Sequence, residues 1–311
     1  GLLINHPKRN RFAGKAQNAG VSVQITAITM IKQFLKRLRD FWAGATVDSV
    51  SRPHYKHRNI DEYENKRMLE DPLYLDRYGY KVYSEADEDG IIAEIFKRIG
   101  ISNKTFVDFG IGNGLCSNSH YLLHQGWSGI WIEGSQEACK KITKDFSHPI
   151  RQKRLKIISA FITKDNINNL IGSGDRALNG ELDFLSVDID GNDYWVWKAI
   201  NCISPRVVTI EYNAKFPPDF EWIREYDEAH IWNRDDQQGA SLKAYENLGR
   251  ELGYQLVGTG TNGVNAFFVK KDLAGDLFPQ PATAENLYHS WGGMGIIPYV
   301  SGHPSKKYIG K

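Results

Sequence analysis

The chain has 311 residues, 41% of them hydrophobic and 24% charged, with a net charge of +2. That length holds one large domain with appendages or two small ones, and a charge so near balance gives no argument for a nucleic-acid binder, which would show a concentrated basic face. Cys116, Cys139 and Cys202 form no CxxC, zinc pattern or disulfide framework, which points to a reducing cytoplasm, and no apolar run reaches the ~18 residues of a membrane span.

Residues 1–20 are polar, rich in Lys, Arg, Asn and Gly, and read as a flexible lead. The chain opens on Gly1 rather than Met, the mark expected of a processed chain. In 25–42, ITAITMIKQFLKRLRDFW, the residues Ile28, Ile31, Leu35, Leu38 and Trp42 recur at helical spacing, with Lys32, Lys36, Arg37 and Arg39 on other faces. A basic amphipathic helix of this kind packs on its own domain, packs on a second copy in a homo-oligomer, or lies on the inner face of a membrane as a peripheral anchor. Residues 43–83 are Tyr-rich and carry few signals, so 1–83 form an N-terminal extension.

From 84 the pattern becomes regular. SEADEDGIIAEIFKRIG offers Ser84 and Asp87 as caps, a face of Ile91, Ile92, Ile95, Phe96 and Ile99, and Gly100 as terminator. Strand-like runs follow at 105–109, 128–133, 155–161, 182–188 and 206–212, with helical stretches at 115–125, 135–146, 164–171 and 192–201 between them. Apolar strands alternating with helices predict a parallel sheet covered on both faces. A helix at 239–252 then leads to YQLVGTGTNGVNAFFV, two strand-like runs split by a Gly/Thr/Asn turn. That ending departs from a dinucleotide-binding fold, whose parallel alternation would continue. The regular domain spans 84–272, and 273–311 read as a loop-rich tail.

In VDFGIGNG, Gly110, Gly112 and Gly114 sit where a strand turns into a helix, and glycine there lets the backbone bend and a ligand approach. Asp108, at the end of the first strand, suits a ligand bearing an amino group. That fits the ammonium of S-adenosylmethionine (SAM) better than a pyrophosphate, and DxGxGxG differs from the dinucleotide fingerprint GxGxxG. Glu133 ends the second strand, where an acid accepts from ribose hydroxyls of either nucleoside. Ala160 and Phe161 end the third strand, as an apolar wall for an adenine ring or as ordinary core.

LDFLSVDIDGNDYWVW crowds Asp188, Asp190 and Asp193 at the end of the fourth strand, where ligands of open α/β sheets sit. Asp188 could hold Mg²⁺ together with Glu211 and Asn213 of the next strand, or act unaided as base or clamp, or the acids could cap the following helix. His230, in a polar stretch after the fifth strand, is a second candidate base. His120 and His124 read as structural. Tyr194, Trp195, Trp197, Tyr212, Trp222, Tyr226 and Trp232 form an aromatic rim suited to stacking on sugars, although Trp195 and Trp197 cannot share one helix face.

FVDFGIGNG, WIEGS, DFLSVDIDGNDYWVWKAI, VVTIEYNAKFPP and GASLKAYENLGRELGYQLVGTGTNGVNAFFV, taken in order over about 84–270, resemble the class I SAM-dependent methyltransferases, and within them the FkbM-like group. The resemblance implies a Rossmann-like, seven-stranded, mostly parallel sheet with an antiparallel last strand and helices on both faces. It implies SAM held through Gly110, Gly112 and Glu133, and O-methylation, often of a sugar in a glycan, surface polysaccharide or glycosylated metabolite. Many members carry D-x-E-G after the fourth strand; this chain has Asp188-Ile189-Asp190-Gly191, and an Asp reaches less far than a Glu.

The expectation is a cytoplasmic SAM-dependent O-methyltransferase acting on a sugar or glycan acceptor, with no nucleic acid involved. Asp188 and His230 are its candidate proton acceptors, with Glu211 assisting Asp188. Two rivals stand beside it: a non-catalytic SAM-fold scaffold in a glycan-assembly complex, and, with less support, an NAD-dependent enzyme.

Overall fold

The computed structural model describes residues 71–173, 181–233 and 235–290. The polar lead 1–20, the basic amphipathic helix expected over 25–42 and the end of the tail, 291–311, lie outside the described residues.

Seven strands form one sheet: β1 (Thr105–Phe109), β2 (Ser128–Glu133), β3 (Leu155–Ser159), β4 (Glu181–Val187), β5 (Ser204–Glu211), β6 (Tyr254–Thr259) and β7 (Asn265–Lys270). Their order is β3-β2-β1-β4-β5-β7-β6. The pairs from β3 to β5 are parallel, while β7 runs antiparallel to both β5 and β6. This is the expected Rossmann-like, seven-stranded, mostly parallel sheet with an antiparallel last strand. The order turns back at β1, flanked by β2 and β4, so a ligand crevice opens beyond the carboxyl ends of these strands.

The strands are mostly apolar because both faces are covered. Alternation splits them between two cores: Phe106 and Phe184 join one with Ile95, Trp131 and Phe267, and Val107 and Leu185 join the other with Trp197, Val208 and Tyr245. The helices are α1 (Glu88–Ile99), α2 (His120–His124), α3 (Gln136–Asp145), α4 (Ser147–Arg151), α5 (Ile167–Gly172), α6 (Asp193–Ala199), α7 (Leu242–Glu251), α8 (Lys271–Ala274) and α9 (Ala284–Leu287). Buried acids interrupt the apolar pattern, Asp108 in β1 and Asp183 in β4 among them. Asp183 is fully buried and accepts from the backbone N–H groups of Ser102, Asn103 and Lys104 at 3.0, 2.7 and 2.6 Å, with Arg206 Nη1 at 3.3 Å.

Three expectations need correction. The helix expected at 115–125 is confined to α2, because the small polar residues before it bond elsewhere: Ser119 donates from its N–H (3.2 Å) and Oγ (2.7 Å) to Asp108. Asp87 precedes α1 but does not cap it; its carboxylate accepts from Thr261 N and Oγ1. Ser84 does serve as a cap, its Oγ accepting from Asp89 N in the first turn of α1, while Asp89 Oδ2 gathers the N–H groups of Val82, Tyr83 and Ser84. The tail, finally, is not all loop. It carries α9, and Phe278, Ala284 and Leu287 are buried in the two cores, so the packed unit continues past 272.

Candidate functional site

The three glycines of the turn after β1 all have positive φ but stand in different surroundings. A Cβ on Gly110 (φ +67°) would stand 1.5 Å from the Asp188 carbonyl oxygen, and one on Gly114 (φ +77°) would stand 2.8 Å from the Trp131 ring. Gly112 (φ +55°) has nothing within 4 Å of such a position. Gly110 and Gly114 are therefore packed against the protein, and Gly112 faces open space.

Glu133, at the end of β2, clamps this turn. Its Oε2 accepts from Gly112 N at 2.8 Å and its Oε1 from Ser135 N at 2.7 Å. Each carboxylate oxygen keeps a second lone pair for a ligand hydroxyl. Beside it, Phe161 at the end of β3 is 47% exposed, with its ring 3.6 Å from where a Gly134 side chain would begin. Ala160 is tied to β2 by its N–H on Glu133 O at 3.0 Å. An acid with spare acceptor capacity and an exposed apolar ring thus adjoin the one open glycine.

Asp108 does not face that opening. It is buried with Oδ2 on Ser119, whose Oγ in turn accepts from Trp131 Nε1 at 2.7 Å. Burial pushes its carboxyl up to about 6 against the hydrogen bonds from Ser119. The expectation that Asp108 meets a ligand ammonium gives way to a supporting role beneath the turn, because its hydrogen-bonding capacity is turned inward.

Beyond β4 and β5 the acids gather. Asp188, Asp190 and Glu211 each place a carboxylate oxygen within 4.8 Å of the others. Asp190 has φ +57°, which Asp tolerates better than most residues, and the turn brings its exposed side chain round to Asp188. Burial, then Glu211, Asp193 and Asp190 in that order, hold Asp188 well above the ordinary carboxylate range. Glu211 is raised in the same way by burial, Asp193, Asp190 and Glu85, with Lys215 pulling back.

Asp193 does not join the cluster's open face. Its Oδ1 accepts from Ile189 N and its Oδ2 from Gly191 N, both at 2.7 Å, so it holds the loop that presents Asp190. Asn213 also departs from its assigned place. Its Nδ2 donates to Asp236 O and Gln238 O, and its Oδ1 accepts from Lys215 N, so Asn213 shapes the loop after β5 and Asp190 takes the third corner. Sequence reasoning missed this swap because it follows from the left-handed backbone at Asp190.

His230 stands at the cluster, but both ring nitrogens are engaged. Nδ1 lies 2.7 Å from Arg224 Nη2 and Nε2 lies 3.1 Å from Asp190 O. Arginine only donates and a carbonyl only accepts, so the ring is the neutral tautomer with its hydrogen on Nε2. Burial and then Arg224 hold its pKa below the ordinary value. Gly191 makes room for it, since a Cβ there would come within 2.3 Å of the ring.

Three of the seven aromatics expected at the rim belong to the core, and the other four are half-buried. Tyr194, Trp197 and Tyr212 are buried, as expected for one of the Trp195 and Trp197 pair. Trp195 Nε1 donates to Arg224 O, Trp232 Nε1 donates to Asp235 O, and Trp222 stacks on Phe216 at 4.6 Å. Phe161 and Phe220 are the large exposed aromatic faces near these strand ends.

No family model matches the sequence, and no curated protein matches it. Among solved structures, the fold is similar to an O-methyltransferase from Bacillus cereus in complex with SAH, at 13% identity and a TM-score of 0.39, over 67% of this chain and 94% of that one. It is similar to the glycopeptide N-methyltransferase MtfA complexed with sinefungin at 13% identity and a TM-score of 0.36, over 61% and 89% of the two chains. A METTL16 methyltransferase domain matches at 12% identity and a TM-score of 0.31, over 40% of this chain and 51% of its own length. Likeness at this level carries no argument about activity. No described helix is long and apolar enough to cross a membrane.

Proposed function

We propose that the chain is a SAM-dependent O-methyltransferase whose acceptor is a sugar hydroxyl. The observation that carries this reading is the clamp of Glu133 on Gly112, the glycine with open space beside it, across the sheet's turning point from the Asp188, Asp190 and Glu211 carboxylates. The antiparallel β7 favours it over an NAD-dependent enzyme, whose fold would extend in parallel.

Glu133 would take the ribose hydroxyls, Phe161 and Ala160 would wall the adenine, and the Gly112 backbone would border the ligand. When bound, SAM supplies a methyl group on a sulfonium, which leaves its electron pair with a neutral thioether. The protein has to align the acceptor oxygen and receive its proton. Asp188 is the best-placed receiver, because burial, and then Glu211 and Asp190 beside it, strengthen its hold on a proton. His230 would have to release Arg224 before Nδ1 could accept, so it serves better as the strut that keeps Asp190 in place.

The donor set also fits a hard divalent cation such as Mg²⁺, since it offers three carboxylates and no soft ligand. Asp188, Asp190 and Glu211 would hold it, and its chemistry would be to bind the acceptor oxygen and ease its deprotonation. Calorimetry with SAM, S-adenosylhomocysteine and NAD tests the cofactor reading: NAD binding with no response to SAM would sink it. Activity unchanged after EDTA would remove the metal and leave Asp188 to work unaided.

A further inference from the structure

A second cavity, of about 500 Å³, opens between α2 and the corner joining α3 to α4, and it shares no lining residue with the carboxylate cluster. Its volume is in the range that encloses a nucleoside-sized molecule. His120 lies in its wall and is only 5% exposed. Nδ1 sits 3.1 Å from Leu115 O, and because a carbonyl only accepts, Nδ1 carries the hydrogen. Nε2 is then a bare acceptor, and among the described residues no hydrogen bond reaches it. Burial lowers the ring's pKa, which keeps it neutral. Tyr83 stacks on His120 at 4.0 Å and on His124 at 4.9 Å, fixing the ring planes.

Arg154 faces the same space. Its Nε donates to Gln152 Oε1 and its Nη1 to Leu123 O and Trp127 O, so the guanidinium is held still while Nη2 has no partner among the described residues. Asp145 and His148 are exposed at the mouth, and Phe146 and the 44% exposed Leu115 add apolar surface. The cavity therefore offers one fixed donor, one fixed neutral acceptor, a carboxylate and apolar walls that include the Phe146 ring.

We propose that this cavity binds a planar, uncharged heterocycle of the guanine type. Such an edge sets carbonyl and ring-nitrogen acceptors, which an arginine donor matches, beside N–H donors that His120 Nε2 and Asp145 can accept. A bare anion has no donor for His120 and would meet Asp145. A metal ion lacks its ligand set here, since among the described residues the one group of three close ligand atoms is the carboxylate cluster. The inference is independent of the methyltransferase reading.

Calorimetry of the full chain with guanosine, at saturating S-adenosylhomocysteine, tests it, with adenosine and inorganic phosphate as comparison probes. Guanosine should bind one to one, adenosine at least ~10-fold more weakly because its edge reverses donor and acceptor, and phosphate should give no heat. Guanosine should also move the His120 Nε2 ¹⁵N resonance. His148→Trp, at the exposed mouth, should abolish guanosine binding while thermal unfolding stays unchanged. Overturning results are no guanosine binding to the folded chain, displacement of guanosine by S-adenosylhomocysteine, binding that His148→Trp leaves intact, or phosphate binding in its place. Silence of S-adenosylhomocysteine alone would count against the methyltransferase reading and leave this site standing.

Discussion

Gly110 and Asp188 are packed backbone to backbone: a Cβ on Gly110 would stand 1.5 Å from the Asp188 carbonyl oxygen. β1 and β4 are neighbours in the sheet, so the glycine turn and the acid loop leave adjacent strands at the same edge and share one wall. Anything that spreads this contact moves the proposed cofactor turn and the carboxylate cluster together.

Gly110→Ala should therefore destabilise the protein by about 3 kcal/mol or more, since it combines backbone strain at φ +67° with a clash against main chain that cannot rotate away. Gly112→Ala should cost only about 1 kcal/mol, because its strain is similar but no atom stands in the way. Its effect should fall on S-adenosylhomocysteine affinity, read by calorimetry. Urea unfolding of the two variants checks the difference, and equal stability losses would contradict the assignment of Gly112 as the open glycine.

The sheet was legible because five apolar runs and a closing hairpin dictate their own partners; β1 and β2 fall on the expected residues, 105–109 and 128–133. The acids after β4 and β5 were legible as a group for the same reason. What was hidden lies in side-chain direction. Asp108 and Glu133 both end strands, yet one turns inward to Ser119 and the other clamps Gly112. Asn213 and Asp190 trade places because of one left-handed residue. Aromatic side chains read the same in a sequence whether they line a rim or fill a core, so Tyr194 and Tyr212 could not be told from Phe161.

Glu133→Gln offers a test of the clamp. An amide keeps one acceptor oxygen but points its NH₂ at either Gly112 N or Ser135 N, both of which donate. A loss of about 1–2 kcal/mol in stability should follow from the unmatched N–H. S-adenosylhomocysteine affinity should fall at least ~10-fold, as one ribose acceptor is lost and the turn loosens. Unchanged affinity in calorimetry would remove Glu133 from the cofactor site.

Asp183 should matter to the fold and not to the site. It is fully buried and gathers three backbone N–H groups from the turn before β1 and the Arg206 guanidinium. Asp183→Ala leaves these donors unpaired and should cost about 3–5 kcal/mol in urea unfolding. At a temperature where the variant is still folded, ligand affinities should match those of the parent chain.

The pH dependence of stability follows from Asp108 and Asp193, each raised by burial from 3.8 to about 6. Below about pH 4 both are protonated in the folded and the unfolded chain, and neither contributes a difference. Between 4 and 6 the unfolded chain ionises first, while the folded chain still holds the protons. The stability contributed by these two groups therefore falls as pH rises through this window, by up to about 3 kcal/mol per group, and their share levels off above it, while Asp188 and Glu211, held higher still, extend the fall to higher pH. Asp108→Asn cannot titrate, and its amide oxygen can still accept from Ser119. Its stability should be flat across its share of the window, lower than or equal to the parent at pH 4 and higher at pH 7. Urea midpoints at pH 4, 5, 6 and 7 give the comparison, and a variant with the parent's full slope would show that the Asp108 carboxyl is not held protonated by its burial.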